Sequence, residues 1–535
     1  MDRAGMRAGP GKGNGGGHRM NVMGKQRAYW TIPSFLALLA IASCGETPGT
    51  DGVGGTGIGP VSGFGSVIVN GVSYSTDNAN IVIGAVENLP ESELKVGMRV
   101  RVDGGFSATG KTGTAERVEV IREVRGPMDD NGVDNVLNRL GVAGQTVLVD
   151  PATIFDNVVD LLELQAIQSG TLRHPEVEVH GAADDNGFLH ATYIRKGTDD
   201  FPVATDNVEV RGKISGLAPI TQFFINSLHV NYGGAVRVNV PLTGLANGMY
   251  VEVEGKLTAA GGTGTLNAAR IEVLDNTVAA NNDPVRIEGY VVSGTSKSSF
   301  VLLGPGGKVS VDGLGATLIP STGSIGPGQK AQVEGVMTGT VLKASVVRVR
   351  PASSVKIEGT VDGTPNVAEG TFTVLTKTIR IDGYTRFKDD AGDERTFRLA
   401  KLNPNDNVEV VGSYDGNDVT AILVERIVPD DPGLVLLQGP IDTGTINLSN
   451  LSFDILGIRV TSVQNFTNTE FRDALGNEVF FPGFFTVVLP NLQPDQVVRV
   501  KRGVFYDGSP TGSLSLIRDD DATRKMEIGI EQVND

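Results

Sequence analysis

Three of the five histidines, His174, His180 and His190, fall in one short stretch. His174, Glu176, Glu178 and His180 recur at every second position, and Val177 and Val179 stand between them. In an extended strand that spacing puts all four polar side chains on one face and the valines on the other. The turn sequence Asp184-Asp185-Asn186-Gly187 follows and folds the chain back, so that His190 could stand opposite His180. Two imidazoles and the Glu178 carboxylate on adjacent strands are the ligand types of zinc or another divalent ion. His180, His190 and Glu178 are therefore the candidate metal ligands. The alternative for the same pattern is a solvated outer face carrying ordinary polar residues.

Other chemistry-bearing patterns are weaker. Gly105–Thr112 fits the G-x-x-x-x-G-K-[ST] phosphate loop letter for letter. That loop binds phosphate only where it opens a helix. Here Thr114–Ile121 follows, alternating and β-branched, so a hairpin turn is expected. Asp129–Gly132, Asp184–Gly187, Asp389–Glu394 and Asp519–Asp521 are acidic turns. None has the D-x-D-x-D-G spacing of a calcium loop, and hairpin chemistry accounts for them. There is no G-x-S-x-G or H-E-x-x-H, and nothing isolates a glycosidase-like carboxylate pair. The net charge of −16 and the pI near 4.9 repel a phosphate backbone, and aromatics are only 6 % of residues. Nucleic acid is excluded as a partner on those grounds.

The elements that must position these residues are strands. Gly248–Gly255 (GMYVEVEG) alternates apolar and polar residues and reads as a strand ended by a glycine. Gly97–Gly104 nearly copies it. Looser copies lie at Pro175–Gly181, Gln329–Gly335, Asn407–Gly412 and Asp495–Gly503. Around each copy the same order is expected: an opening strand ending in Gly, a hairpin, a short turn, this organising strand and a closing strand. Asn70-Gly71 is the clearest hairpin turn, and Asn157–Ile167 the most helix-like stretch. The chain is too long for one core, and its 71 glycines suit many short strands. The expected fold class is all-β, a tandem array of about six small antiparallel OB-like barrels, since closure removes open sheet edges. The units are expected at 61–123, 124–198, 207–277, 284–350, 354–428 and 434–533, the last being divergent.

The N-terminus sets the compartment. Lys25 and Arg27 precede the apolar run Thr31–Ala42, too short to span a bilayer comfortably. The run ends Ile41-Ala42-Ser43-Cys44-Gly45, which resembles a bacterial lipobox. The resemblance implies that residues 1–43 are a signal peptide, with a start at Met20 or Met23 as an alternative, and that Cys44 is diacylated. Gly45 rather than Asp after the cysteine implies, by likeness to Gram-negative lipoproteins, the outer membrane. Cys44 is the sole cysteine, so no intrachain disulfide forms. Residues 44–60, rich in Gly and Thr, read as a flexible tether.

Gly54–Gly59 (GGTGIG), Gly63–Val72 (GFGSVIVNGV) and Leu94-x-Val96-Gly97-Met98-x-Val100-x-Val102-x-Gly104 together resemble the bacterial lipoproteins that carry a domain of unknown function, DUF5666. The third unit matches at Leu245-x-x-Gly248-Met249. The resemblance implies OB-like barrels and an envelope location, and it brings no catalytic residues. The expected function is a lipid-anchored, non-enzymatic envelope scaffold, spacer or binding protein without cofactor. Its partners would be the membrane and an envelope polymer or protein. The alternatives are a binder of glycan or another exported polymer, and a metal-binding protein or metal-dependent enzyme centred on the second unit.

Overall fold

The computed structural model describes residues 53–533 apart from 108, 172, 219–220, 463–465, 509–514 and 522. Cys44 and the apolar run before it lie outside the described residues. The described chain is nearly all β and forms small closed five-stranded barrels and a half-barrel, numbered 1 to 6 in chain order.

Barrel 1 shows the plan. Its five strands are Val53–Gly63, Val67–Val69, Val72–Ser75, Arg99–Phe106 and Thr112–Val120. The first pairs antiparallel with the second, the second with the third, the fifth with the fourth and the fourth with the first. The third and fifth are parallel, which closes the barrel in the order 1-2-3-5-4-1 of an OB fold. A short additional strand, Asn80–Ile83, also runs parallel to the fifth. Barrels 2 (Val124–Asp134 to Leu189–Lys196), 3 (Val208–Ala218 to Thr265–Val273) and 4 (Pro284–Ser296 to Val341–Arg350) repeat this order. Barrel 5 (Val355–Thr360 to Val419–Arg426) closes through the Val361–Val374 bridge. Barrel 6 (Val435–Gly439 to Met526–Gln532) splits its closing strand between Leu516–Arg518 and Met526–Gln532.

The period-2 pattern fills each interior. In barrel 1, Val67, Val69, Val72, Val100, Val102, Val118 and Val120 all point inward and are buried. The glycine expected to end each organising strand does something else. Strands four of barrels 1 to 5 run on past Gly104, Gly181, Gly255, Gly335 and Gly412, and each register shifts there by a β-bulge. A Cβ at these glycines would lie 2.0–2.3 Å from a carbonyl oxygen of the facing strand. Only glycine lets the strand bend over its partner that closely.

The glycine-rich stretch assigned to a tether corrects in the same way. Gly54–Pro60 belongs to the first strand of barrel 1, which pairs with Arg99–Phe106 along its length. A Cβ on Gly55 would meet the Phe106 ring at 2.4 Å, on Gly57 the Tyr74 hydroxyl at 2.6 Å, and on Gly59 the Asn70 side chain at 2.3 Å. These glycines make room for large side chains packed across the strand.

Asn70 and Gly71 adopt φ of 51° and 75°, the two left-handed residues of a type I′ hairpin turn. The helix forms at Leu161–Thr171, later than Asn157–Ile167. Asp160 accepts the Glu163 amide at 2.9 Å and Glu163 reaches back to the Val159 amide at 2.7 Å, so a capping pair sets the start.

The first strands also join barrels in pairs. Thr56–Ile58 runs parallel to Val285–Ile287, linking barrels 1 and 4. Val124–Arg125 pairs antiparallel with Glu209–Val210, linking barrels 2 and 3. Lys356–Glu358 pairs with Leu436–Gln438, linking barrels 5 and 6. A small apolar cluster of Met98, Ala152, Ile154, Tyr193, Val411 and Leu423 then holds barrels 1, 2 and 5 together.

Candidate functional site

The histidine cluster lies at a junction between barrels, not on a solvated face. The fourth strand of barrel 2, Glu176–Ala183, is covered on its outer side by the first two strands of barrel 4. Glu178 is 3 % exposed and His180 not at all. His180 Nδ1 donates to the Ile121 carbonyl at 2.9 Å, and Nε2 donates to Glu178 Oε1 at 2.8 Å. Both ring nitrogens are therefore engaged by protein oxygens, and a metal would have to displace one of these buried contacts. Glu178 in turn accepts from Arg195 at 2.6 Å, with Arg122 3.8 Å away. Burial would raise the Glu178 carboxyl. The His180 hydrogen bond and the charges of His180, Arg195 and Arg122 instead hold it far below the usual carboxylate range.

His190 does not face His180. The bulge after His180 moves the register, so His180 opposes Tyr193 while His190 opposes Ala182. The His190 ring stacks on Tyr290 of barrel 4 at 4.0 Å, and its Nε2 lies 3.5 Å from Asp184. His174 precedes the strand, with Nδ1 3.1 Å from the Met128 carbonyl. Among the described residues no group of three or more His, Cys, Asp or Glu is placed to hold a metal ion. The metal reading of His180, His190 and Glu178 is corrected to a set of contacts between barrels.

That junction extends to further buried charges. Arg99 of barrel 1 is 3 % exposed and donates to the carbonyls of Gly181 in barrel 2 at 2.6 Å and Glu288 in barrel 4 at 2.8 Å. Glu123, in the link between barrels 1 and 2, is buried 3.9 Å from Arg99. Burial pushes the Glu123 carboxyl up, against the pull of Arg99 and Arg211. Barrel 5 uses the same device. Arg386 donates to the Thr192 carbonyl of barrel 2 at 3.0 Å, and Arg398 to the Phe64 carbonyl of barrel 1 at 2.5 Å. Arg395 donates to the Leu94 carbonyl at 2.7 Å and lies over the Phe64 ring at 3.4 Å. A guanidinium with five donors suits a neighbour's bent strand, whose carbonyls turn outward at the bulge.

The outer face also carries a charge ladder across the seam of barrels 2 and 3. Arg270, Glu254, Glu209, Arg125, Glu178 and Arg195 stand side by side on six successive strands. The corresponding row of barrels 5 and 6 is Glu425, Glu409, Glu358, Leu436, Lys501 and Glu527. There the Glu425 carboxyl is pushed up to about 8 by burial and by the neighbouring Asp390, against Lys388.

The acidic stretch Asp129–Gly132, expected as a turn, lies instead within the first strand of barrel 2, Val124–Asp134, while the phosphate-loop match and Asp389–Glu394 are turns. Between Phe106 and Thr112 the chain makes a hairpin with the Gly110 amide donating to Ser107 O at 2.9 Å, and a strand, not a helix, follows. The carboxylate of Asp389 accepts the amides of Gly392 and Glu394 and the Arg426 guanidinium, and so caps its own turn.

Comparison with known proteins gives one family. The domain of unknown function DUF5666 matches residues 58–119, 125–195, 211–272 and 358–425. These are barrels 1, 2, 3 and 5. Barrels 4 and 6 lie outside the matched segments and yet share the strand order, parallel third–fifth pair included. No curated protein matches the chain.

Proposed function

The chain belongs to the DUF5666 family, present in four copies, and from that premise we propose that it is a non-enzymatic envelope scaffold, tethered to the outer membrane through a lipid on Cys44. One observation carries the platform reading. Of the buried polar groups best suited to chemistry, His180, Arg99 and Arg386 hydrogen-bond to carbonyls beyond their own barrels, and Glu178 and Glu123 are buried as the charged partners of His180 and Arg99. A string of independent beads would leave those side chains in water, where their charges cost least. A body whose barrels must keep fixed relative positions justifies burying them. The lipobox-like Ile41–Gly45 supports the anchor, and the resemblance to envelope lipoproteins supports the compartment.

The anchor is tested by fractionating cells that express the full chain and its Cys44→Ala variant. The wild type is expected in membranes, released only by detergent, and the variant in the soluble periplasmic fraction. A wild type that is soluble without detergent overturns the anchor.

A further inference from the structure

We propose that the outer face of strands two and three of barrel 3 binds a neutral polysaccharide chain. The strands are Gln222–Ile225 and Leu228–Asn231, flanked by Val208–Ala218 on one side and Thr265–Val273 on the other. Register places Ser215, Phe224, His229 and Thr265 side by side in one row, and Gln222, Asn231 and Asn267 in the next. Strands stand about 4.8 Å apart, so the grid is roughly as wide as two sugar rings.

Its composition differs from the rest of the molecule. Phe224 is 41 % exposed, at an outward position where the alternation should place a polar residue. The ring lies against His229 at 5.0 Å between centroids. On its other side is Gly216, where a Cβ would stand 3.1 Å from the ring and where φ is +58°. The ring is thus held between His229 and Gly216. Around it are hydroxyls and carboxamides: His229 Nδ1 lies 3.1 Å from Thr265 Oγ1, and Asn231 donates to Asn267 at 3.2 Å. The side chain of Gln222, also exposed, makes no hydrogen bond among the described residues. The seven side chains named in the two rows carry no carboxylate, lysine or arginine, in a chain that is 20 % charged; the first charge met is Lys256, opposite Asn267 on the neighbouring strand. The equivalent cross-strand pairs elsewhere are Ile68–Ser73 in barrel 1, Gly141–Thr146 in barrel 2, Leu303–Lys308 in barrel 4, Thr373–Thr378 in barrel 5 and Asp454–Arg459 in barrel 6, and none of them carries an aromatic ring.

That chemistry selects the ligand. The C–H face of a sugar ring stacks on an aromatic side chain, and carboxamides donate to and accept from its hydroxyls. A nucleic acid would need cations beside the ring, and a peptide partner a broader apolar surface. Charge neutrality argues for an uncharged polymer. The proposal stands on barrel 3 alone and holds whether or not Cys44 is lipidated.

The test is calorimetric titration of the purified full-length protein with malto-, cello-, laminari- and chitohexaose, with polygalacturonate as the charged control. At least one neutral hexaose is expected to bind. Phe224→Ala should weaken it about tenfold, the worth of an aromatic contact, and Phe224→Trp should restore it. Asn231→Ala with Asn267→Ala should weaken binding with an unchanged melting temperature. The proposal is overturned if no neutral hexaose binds, if Phe224→Ala and the asparagine variant bind like the wild type, or if polygalacturonate is preferred.

Discussion

Arg99→Ala is the most direct probe of the barrel junction. Arg99 is nearly inaccessible, and truncation removes the donors at 2.6 Å and 2.8 Å from the Gly181 and Glu288 carbonyls. It also leaves Glu123 without the guanidinium 3.9 Å away. A buried acceptor without its donor costs roughly 1–3 kcal/mol, and removing one partner of a buried charged pair costs about 3–5 kcal/mol. The two routes agree on a loss of about 3–5 kcal/mol, borne by the contacts of barrel 1 with barrels 2 and 4. With a urea slope of roughly 1–3 kcal/mol/M, the first unfolding transition followed by circular dichroism should fall by at least about 1 M. Arg101→Ala is the control: that side chain is 30 % exposed and paired to Asp103 on its own strand, so its removal should cost about 0–1 kcal/mol. Trypsin locates the damage, because Arg122 in the link between barrels 1 and 2 has a side chain only 14 % exposed. Cleavage there should accelerate roughly a hundredfold or more in Arg99→Ala, as the open population grows. Equal urea midpoints and equal cleavage rates for the two variants would refute the claim that Arg99 joins the barrels.

Two further expectations follow from the strands themselves. Gly255→Ala places a Cβ 2.2 Å from the Asn267 carbonyl, so the strands must part and lose about 2–4 kcal/mol of hydrogen bonding and packing. Gly248→Ala has open space and pays only for its φ of +91°, roughly 1–2 kcal/mol. Thermal melts that rank Gly248→Ala below Gly255→Ala would contradict the bulge account. Glu425, raised to about 8 by burial and Asp390, holds its proton more tightly folded than unfolded. Its contribution is therefore complete below the ordinary carboxyl value of 4.5 and is lost as pH rises to about 8. Melting temperature should fall across that window, and Glu425→Gln should flatten the fall in a pH series of calorimetric scans.

The barrels were legible because their signals are local. Alternating valines, Asn70-Gly71 and the recurring glycines each constrain a few neighbouring residues, and closure follows from how many strands they make. The helix start is also present in the sequence, as Asp160 and Glu163 three residues apart, but the apolar Val158 and Val159 before it set the expected boundary too early. What the sequence concealed was every property fixed by distant residues. Gly55, Gly57 and Gly59 look like a flexible tether until Phe106, Tyr74 and Asn70 occupy the space where side chains would be. Glu178 and His180 look solvated until barrel 4 covers them. Alternation specifies that a strand has two faces, and it is silent on what the outer face meets. Phe224 was visible as an aromatic in a polar position, but only the register with His229, Asn231 and Asn267 makes it part of a grid.

The burial pattern also explains why a binding face would sit where Phe224 does. The outward side of the fourth strands is largely consumed: Arg99, Glu178, His180 and Gln332 are all buried against other barrels. Outward residues of the second and third strands of barrels 3, 4 and 5 include accessible ones, as Gln222, Phe224, Ser299, Lys308, Ser310 and Arg380 are. Where these strands are not drawn into a junction, as Gln145 of barrel 2 is by its bond to the Ile225 carbonyl, their outer side is free. A substitution on a second or third strand therefore changes surface chemistry at little cost in stability, whereas one on a fourth strand loosens two or three barrels at once. Barrel 3 is where that freedom has replaced charge with an aromatic ring and carboxamides. A polymer long enough to pass from one barrel to the next would meet charged or hydroxyl-bearing faces on either side, so affinity should saturate with oligomers that fill barrel 3 alone.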